Sequence, residues 1–582
     1  MLTRKSLIFC SLFASSAAIF PGCFEDDSRE IRLRQVESFE ELERSDSIGK
    51  AMKYLPFIMR FDRTTAAKEV LNQLNAWSTP REDSSPWNRP ALIDTVAADI
   101  RNDPLFARLG SMEFGEAECE YLLQSQMMSD LGFWVSERPY LDPLFQPWLE
   151  KQKGKLSADE GAALEKTLKL FDWTVRNVAL EGTAKDVEAL PLNPSMPLTD
   201  LGMGYRALPW QTLHFGRGDA YQRGRVFTQL LFQQGIPAVM LALPMNTVTE
   251  PLKSFPSSDL HLWAIGVLIG SEVYLFEPRW GLPFPNADEP AVATLRQAKS
   301  DPNVLRRAKL PGRFDYPIGS ADLKPLVALI DVEPFSVGRS VQALQQSLTG
   351  ENRMQVATDV ASIASKLAVI DPSLDVRLWE LPWLSQLYNQ SVRNRINDRS
   401  PFSINYQITY GAYMNESLVS DARTAHFKGN FETNIDSDGA AKKYMNLRID
   451  EETLAKLAYD RDIQQELQMI RKPNETQEEY QYRVGQAQGF YRTAKLDSNA
   501  FLGMLQFDLQ NLEASTNWMD QRLLQIDGTE RWRPQARYIL GRVYEQKKEF
   551  DESFSWYKMD GSPQEAGNRI RMRLLEKINK DK

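Results

Sequence analysis

One stretch constrains this chain more than any other. Gly218-Asp-Ala220-Tyr-Gln-Arg-Gly-Arg-Val226-Phe-Thr-Gln-Leu230-Leu231-Phe-Gln-Gln-Gly235-Ile-Pro-Ala238 reads as a loop, a buried helix and a turn into a strand. Strand signals follow. Ala238 to Leu243 is a short apolar run, and Trp263 to Ile269 and Val273 to Phe276 flank Gly270-Ser-Glu272, a hairpin signal. Upstream, residues 158 to 183 predict one helix: Asp159 and Glu160 favour its positive end, and Leu164, Leu168, Phe171, Val175 and Val178 form its apolar face. A helix followed by antiparallel strands is an α+β layout.

At 582 residues the chain exceeds a single core, so two to four domains are expected. Residues 24–155 read as helical, broken by Pro80, Pro86 and Pro90. The α+β unit spans 156–290, a mostly helical region 291–400 (Ser340 to Leu348, Gln355 to Ile370), and a mixed region 401–490, with alternation at Tyr406 to Tyr410 and a turn-rich Gly429 to Gly439. The whole is a mostly helical, multidomain α+β chain. Its net charge of −9 is spread out, with no Lys/Arg run or aromatic-interleaved basic stripe, which argues against nucleic acid as a partner.

Two further segments carry signals. In 491–582, Ala500-Phe-Leu-Gly503 with Leu512-Glu-Ala514 is echoed by Ala536-Arg-Tyr538-Ile-Leu-Gly541, then Phe550 and Tyr557; Gly503 and Gly541 are 38 residues apart. The pattern resembles a tetratricopeptide repeat of 34 residues plus an insertion, and an unrelated helical hairpin is the alternative. Two repeats fall below the three a free array needs, so they are expected to lie on neighbouring helices. At the other end, Arg4 and Lys5 precede an apolar run from Leu7 to Phe20, and Pro21-Gly22-Cys23 leads into Phe24-Glu-Asp-Asp27. Residues 1–23 resemble a bacterial lipoprotein signal with Cys23 lipidated; ordinary secretion with cleavage nearby is the alternative. The other cysteines are Cys10 and Cys119, and there are three histidines, so neither a metal site nor a cofactor is expected.

Within 158–285, the helix ending Leu170-Phe-Asp-Trp-Thr-Val-Arg-Asn177, the Gly235-Ile-Pro turn, His261-Leu-Trp263 and Glu277-Pro278 occur in an order that resembles the transglutaminase-like superfamily of papain-type folds. With Phe215-Gly-Arg-Gly218 and Leu275-Phe-Glu-Pro-Arg-Trp-Gly-Leu-Pro283, the pattern is also similar to large transglutaminase-like proteins of planctomycete-type bacteria. The resemblance implies a Cys-His-Asp triad. Its cysteine falls on Ala220, its histidine on His261 and its carboxylate on Glu277, where the family has Asp.

Such an enzyme works through a thiolate at a helix N-terminus, activated by the dipole and a histidine that a carboxylate orients. Ala220 has no nucleophile. Cys119 cannot replace it, because the carboxylates of Glu116-Ala-Glu-Cys-Glu120 raise a thiol pKa. Asp219 adjoins the site as an acid, a base or simply a helix cap. His214 and Trp263 are candidates to line the cleft, and Gly216-Arg-Gly218 is a weak anion motif. The expectation is an exported, lipid-anchored, non-catalytic module that binds a protein or peptide partner through its cleft and repeats, with the membrane reached through its anchor. The alternatives are an active hydrolase or acyl transferase using His261 and Glu277 without a thiol, and a pure scaffold in the cell envelope.

Overall fold

The structure, a computed structural model, describes residues 47–59, 63–81, 87–181, 206–244, 260–286, 290–395, 403, 406, 410, 413, 418–435, 437–526, 530–559 and 561–580. The expected signal segment 1–23, with Cys23, lies outside them. Of the described residues 63% are helical, and they include one mixed six-stranded sheet and a small second sheet, a mostly helical α+β fold. Among the described residues no helix is long and apolar enough to cross a membrane.

Helix α1 (Glu116–Glu137) dominates the amino-terminal part. Helix α2 (Ala158–Asn177) begins at Ser157, whose Oγ accepts from the Glu160 amide at 3.3 Å while Glu160 Oε2 accepts from the Ser157 amide at 2.9 Å. This reciprocal cap satisfies two donors and fixes the start. Strand β1 (Ala179–Leu180) follows and pairs in parallel with β2 (Arg217–Gly218); between them in sequence lies α3 (Pro209–Phe215). Helix α4 (Ala220–Gln233) comes next and stops at Gly235, φ +69°, with the Ile236 amide reaching back to the Leu231 carbonyl at 3.0 Å. A left-handed glycine of this kind terminates the helix and turns the chain into the sheet.

The large sheet has the order β6-β5-β4-β3-β7-β8, from β3 (Ala238–Pro244), β4 (Leu260–Ile269), β5 (Glu272–Glu277), β6 (Leu282–Pro283), β7 (Val327–Ile330) and β8 (Asp375–Leu378). All neighbours are antiparallel except β7 and β8, which run parallel. The β4–β5 hairpin turns at Gly270, φ +59°, as its sequence predicts. The last two strands were not expected: region 291–400 reads as helical, yet it supplies β7 and β8. Helix α4 lies on the sheet through Gly224, where an added Cβ would stand 3.0 Å from Met240 Cε and 3.1 Å from Ile265 Cδ1. Phe171 of α2, Phe227 of α4 and Phe276 of β5 close this contact, with ring centroids 5.0 to 5.3 Å apart.

Toward the carboxyl end, α5 (Leu418–Phe427) lies against α3, and the 32-residue α6 (Gln477–Asp508) pairs with α7 (Leu512–Met519). Helix α8 (Arg533–Gln546) pairs in the same way with α9 (Phe550–Tyr557), and α10 (Glu565–Lys580) ends the chain. The two hairpins repeat one another bond for bond. Ser515 Oγ donates to the Gly503 carbonyl at 2.9 Å and Ser553 Oγ to the Gly541 carbonyl at 2.8 Å. Gln510 and Lys548 hold the equivalent turns at φ 61° and 64°. Their first helices clasp α2: Asp508 accepts from Trp173 Nε1 at 3.0 Å, Gln535 Nε2 donates to the Arg176 carbonyl at 2.6 Å, and Arg542 Nη1 to Asp172 Oδ1 at 2.6 Å. One apolar core therefore runs through the amino-terminal helices, the sheet and both hairpins, while Leu454, Leu457, Met469, Tyr480, Val484 and Tyr491 form a small satellite core.

Candidate functional site

Helix α3 ends at Gly216, φ +65°, where a Cβ would come within 2.5 Å of the Phe501 ring, so only glycine fits. Three residues on, Asp219 caps α4. Its Oδ1 accepts from the Tyr221 and Gln222 amides, each at 2.9 Å, and Gln222 Oε1 accepts from the Asp219 amide at 2.9 Å. Ala220 is the first residue of the helix, buried. The amides that would stabilise a thiolate or an oxyanion are thus already turned to a carboxylate of the chain itself.

His261 lies near the start of β4 and Glu277 at the end of β5. Between β3 and β4 the register shifts: Leu241 faces Ala264 while Ala242 faces Leu262, leaving Trp263 as a bulged extra residue. The Trp263 indole donates to Tyr316 Oη at 2.6 Å and its ring lies 5.4 Å from that of Phe284, so this side chain is core. Its carbonyl accepts from Arg279 Nη2 at 2.8 Å. Arg279 also claims Glu277. Its Nε donates to Glu277 Oε1 at 2.9 Å, its amide to the same oxygen at 2.9 Å, and its Nη2 to Oε2. Glu277 is 1% exposed, whereas the Arg279 side chain keeps 29% of its surface.

Glu277 therefore serves Arg279 rather than orienting an imidazole. Among the described residues His261 has no carboxylate partner, and its Nδ1 is buried without a hydrogen bond. Burial, reinforced by the Arg279 guanidinium, pushes its pKa down to about 4, so the ring is neutral at pH 7. Tyr221 feels the same arginine: burial pushes its phenol up to about 12, with Arg279 opposing and Asp219 and Glu277 adding to the rise. Arg279 is thus common to the surroundings of Tyr221, His261 and Glu277. Sequence reasoning passed over it, although the Glu-Pro-Arg order, which places a cation two residues from an acid across a turn, carried the signal.

The other candidates fall elsewhere. His214 is a core histidine between α3 and α5: its Nδ1 donates to the Trp210 carbonyl at 2.9 Å, Phe427 lies 5.3 Å away, and burial pushes its pKa down to about 4. Cys119 is buried in α1, its thiol pushed up to about 12 by burial and then by Glu118, Glu120 and Glu116. No group of three or more His, Cys, Asp or Glu able to hold a metal occurs among the described residues.

A second arginine was also missed. Arg223, 1% exposed, sends Nε and Nη2 to the Val178 carbonyl at 3.0 and 2.6 Å, and Nη1 to the Pro278 carbonyl at 3.1 Å and Gln564 Oε1 at 2.6 Å. It bolts α4 to the end of α2, to the turn holding Glu277 and Arg279, and to the carboxyl-terminal segment. Burial without a carboxylate lowers its pKa to about 9. Arg225, two residues further, is paired instead with Asp331 and Glu333, adjoining β7. Compared with protein-family models, curated proteins and solved structures, the chain matches none.

Proposed function

We propose that this chain is an exported, lipid-anchored protein whose transglutaminase-like core is a binding or scaffold module of the cell envelope and performs no acyl transfer. One observation carries the non-catalytic reading: the Glu277 carboxylate is committed to Arg279, leaving His261 without an acid and Ala220 without a nucleophile. Two others agree with it. Asp219 occupies the helix end where charge would develop in an acyl-transfer transition state, and a neutral imidazole with pKa about 4 is a weak base for any nucleophile. The repeat-like hairpins spend their first helices on α2, so a protein or peptide partner would meet the outer helices α7 and α9 or the exposed part of Arg279. The anchor rests on the Cys23 signal.

The test of catalysis is turnover of peptide and amide substrates by the purified protein, alongside His261→Ala. No turnover is expected, with any background equal in the two proteins. Turnover that His261→Ala abolishes would overturn the reading in favour of a thiol-free hydrolase. Palmitate labelling in a bacterial host, lost in Cys23→Ser, is expected for the anchor; an unlabelled parent chain would remove it.

A further inference from the structure

A crevice opens beside the carboxyl-terminal half of α2, against Trp173 and Arg176. Its space, about 290 Å³ with the open solvent at its mouth included, is bordered among others by Trp134, Arg138, Lys169, Trp173, Arg176 and Asp508. It lies where α1, α2 and the first repeat hairpin meet. Trp134 is fixed by Gly429, φ +71°, where a Cβ would stand 2.4 Å from Trp134 Cδ1. The Arg138 guanidinium lies against two rings that touch one another, 5.1 Å from the centroids of Trp134 and of Phe431.

The hydrogen bonds around the crevice leave donors over. Asp508 is saturated by Trp173 Nε1 at 3.0 Å, Asn177 Nδ2 at 3.3 Å, His426 Nε2 at 3.3 Å and Arg176 Nη1. Arg176 is balanced by Asp508 and Asp172, and Lys169 by Glu165 at 2.7 Å. Lys169 Nζ also donates to the Ser136 carbonyl at 3.2 Å, which leaves one of its three hydrogens. Arg138 makes no hydrogen bond or ion pair among the described residues, and Trp134 Nε1 is buried without a partner. A buried donor with no acceptor is costly, and a guanidinium pinned by aromatic faces with its N–H fork unclaimed is pre-organised for a planar oxyanion.

We propose that this crevice binds a carboxylate, gripped by the Arg138 fork and the Lys169 ammonium beside the Trp134 indole. The charge count selects a monoanion. Only Arg138 lacks a compensating acid, so a phosphate dianion would bring one charge too many, and the aromatic walls favour a flat group. The carboxylate is borne either by a small free acid or by an acidic side chain of a peptide.

The test follows the Trp134 indole N–H signal in the full chain, assigned by its absence in Trp134→Phe. The probes are acetate, an amidated peptide with one glutamate, its glutamine counterpart, and inorganic phosphate. A saturable shift with acetate or with the glutamate peptide is expected, none with the glutamine peptide, and the tighter of the two binders identifies the source. Arg138→Gln should weaken binding about tenfold or more, and Arg138→Lys, which keeps the charge and stem, should lose less. If Arg138→Gln fails to fold, the Arg138→Lys titration alone decides, since an unchanged affinity there contradicts the fork. No saturable shift up to about 50 mM, weaker than any useful affinity, means the crevice holds water only and overturns the proposal. Phosphate binding as tight as acetate, or full affinity in a folded Arg138→Gln, overturns it too.

Discussion

Arg279 is the residue on which the candidate site turns, because removing it strands a carboxylate. Arg279→Met keeps much of the stem but leaves Glu277, 1% exposed, without its partner. Breaking a buried pair from one side costs about 3–5 kcal/mol, so the urea midpoint should fall accordingly. The two depressed histidines make a separate prediction. His214 and His261 are held at about 4 against an ordinary value of 6.5. Between those values the unfolded chain binds protons that the folded chain refuses, so stability falls as pH drops from about 6.5 to about 4. Each ring contributes about 3 kcal/mol over that window. In urea melts at stepped pH, His261→Gln should flatten its share of the decline, and an unchanged slope would show that this ring titrates normally.

At the scale of elements, the two repeat hairpins separate glycines that matter from glycines that do not. A Cβ at Gly541 would lie 2.4 Å from the Tyr557 ring, and at Gly503 2.6 Å from Met519 Cε, whereas Gly485 in the same α6 has nothing within 4 Å. Gly541→Ala should destabilise by about 2 kcal/mol because an aromatic ring cannot fold aside. Gly503→Ala should cost less, since a methionine can, and Gly485→Ala should stabilise by about 0.5–1 kcal/mol through helix propensity. Thermal melts rank the three. These elements were legible because their local signals were complete: the acidic first turn of α2, the Gly270 hairpin and the Gly503/Gly541 echo were all open to reading. Strands β7 and β8 were not. Val327-Ala-Leu-Ile330 is buried at every position and so shows no alternation, and Asp375-Val-Arg-Leu378 is a short edge partner defined only by its neighbour. The elements that carry Ala220, His261 and Glu277 were legible but the wiring around them was not, since which acid an arginine claims depends on turns that sequence spacing does not fix.

Across the whole molecule, buried charges link distant parts of the chain. Asp142 takes Arg571, which also holds Glu545; Arg542 bridges Asp142 and Asp172; Arg176 continues to Asp508, which reaches His426. Pairs like these cost desolvation and return specificity of assembly, because each is satisfied in one arrangement only. The expected segment 156–290 is therefore not expected to fold by itself. Deleting residues 491–582 exposes the clasped face of α2, takes both arginine partners from Asp142 and leaves Asp172 with Arg176 alone. That truncation should lose near-ultraviolet circular dichroism and bind hydrophobic dye, whereas the intact chain should unfold the sheet and the hairpins in one transition. A sharp, native-like melt for the truncated chain would contradict the shared core.

The clasp around α2 also sets the terms of competition at the repeat hairpins. The face formed by Asp508, Gln535 and Arg542 already holds a helix of its own chain, present at the effective concentration of a tethered segment and matched to it through Trp173, Arg176 and Asp172. A foreign helix offered to that face meets a resident rival that never diffuses away. The inner face of the carboxyl-terminal hairpins is thus occupied from within the same chain, and a competitor would have to displace α2 to reach it.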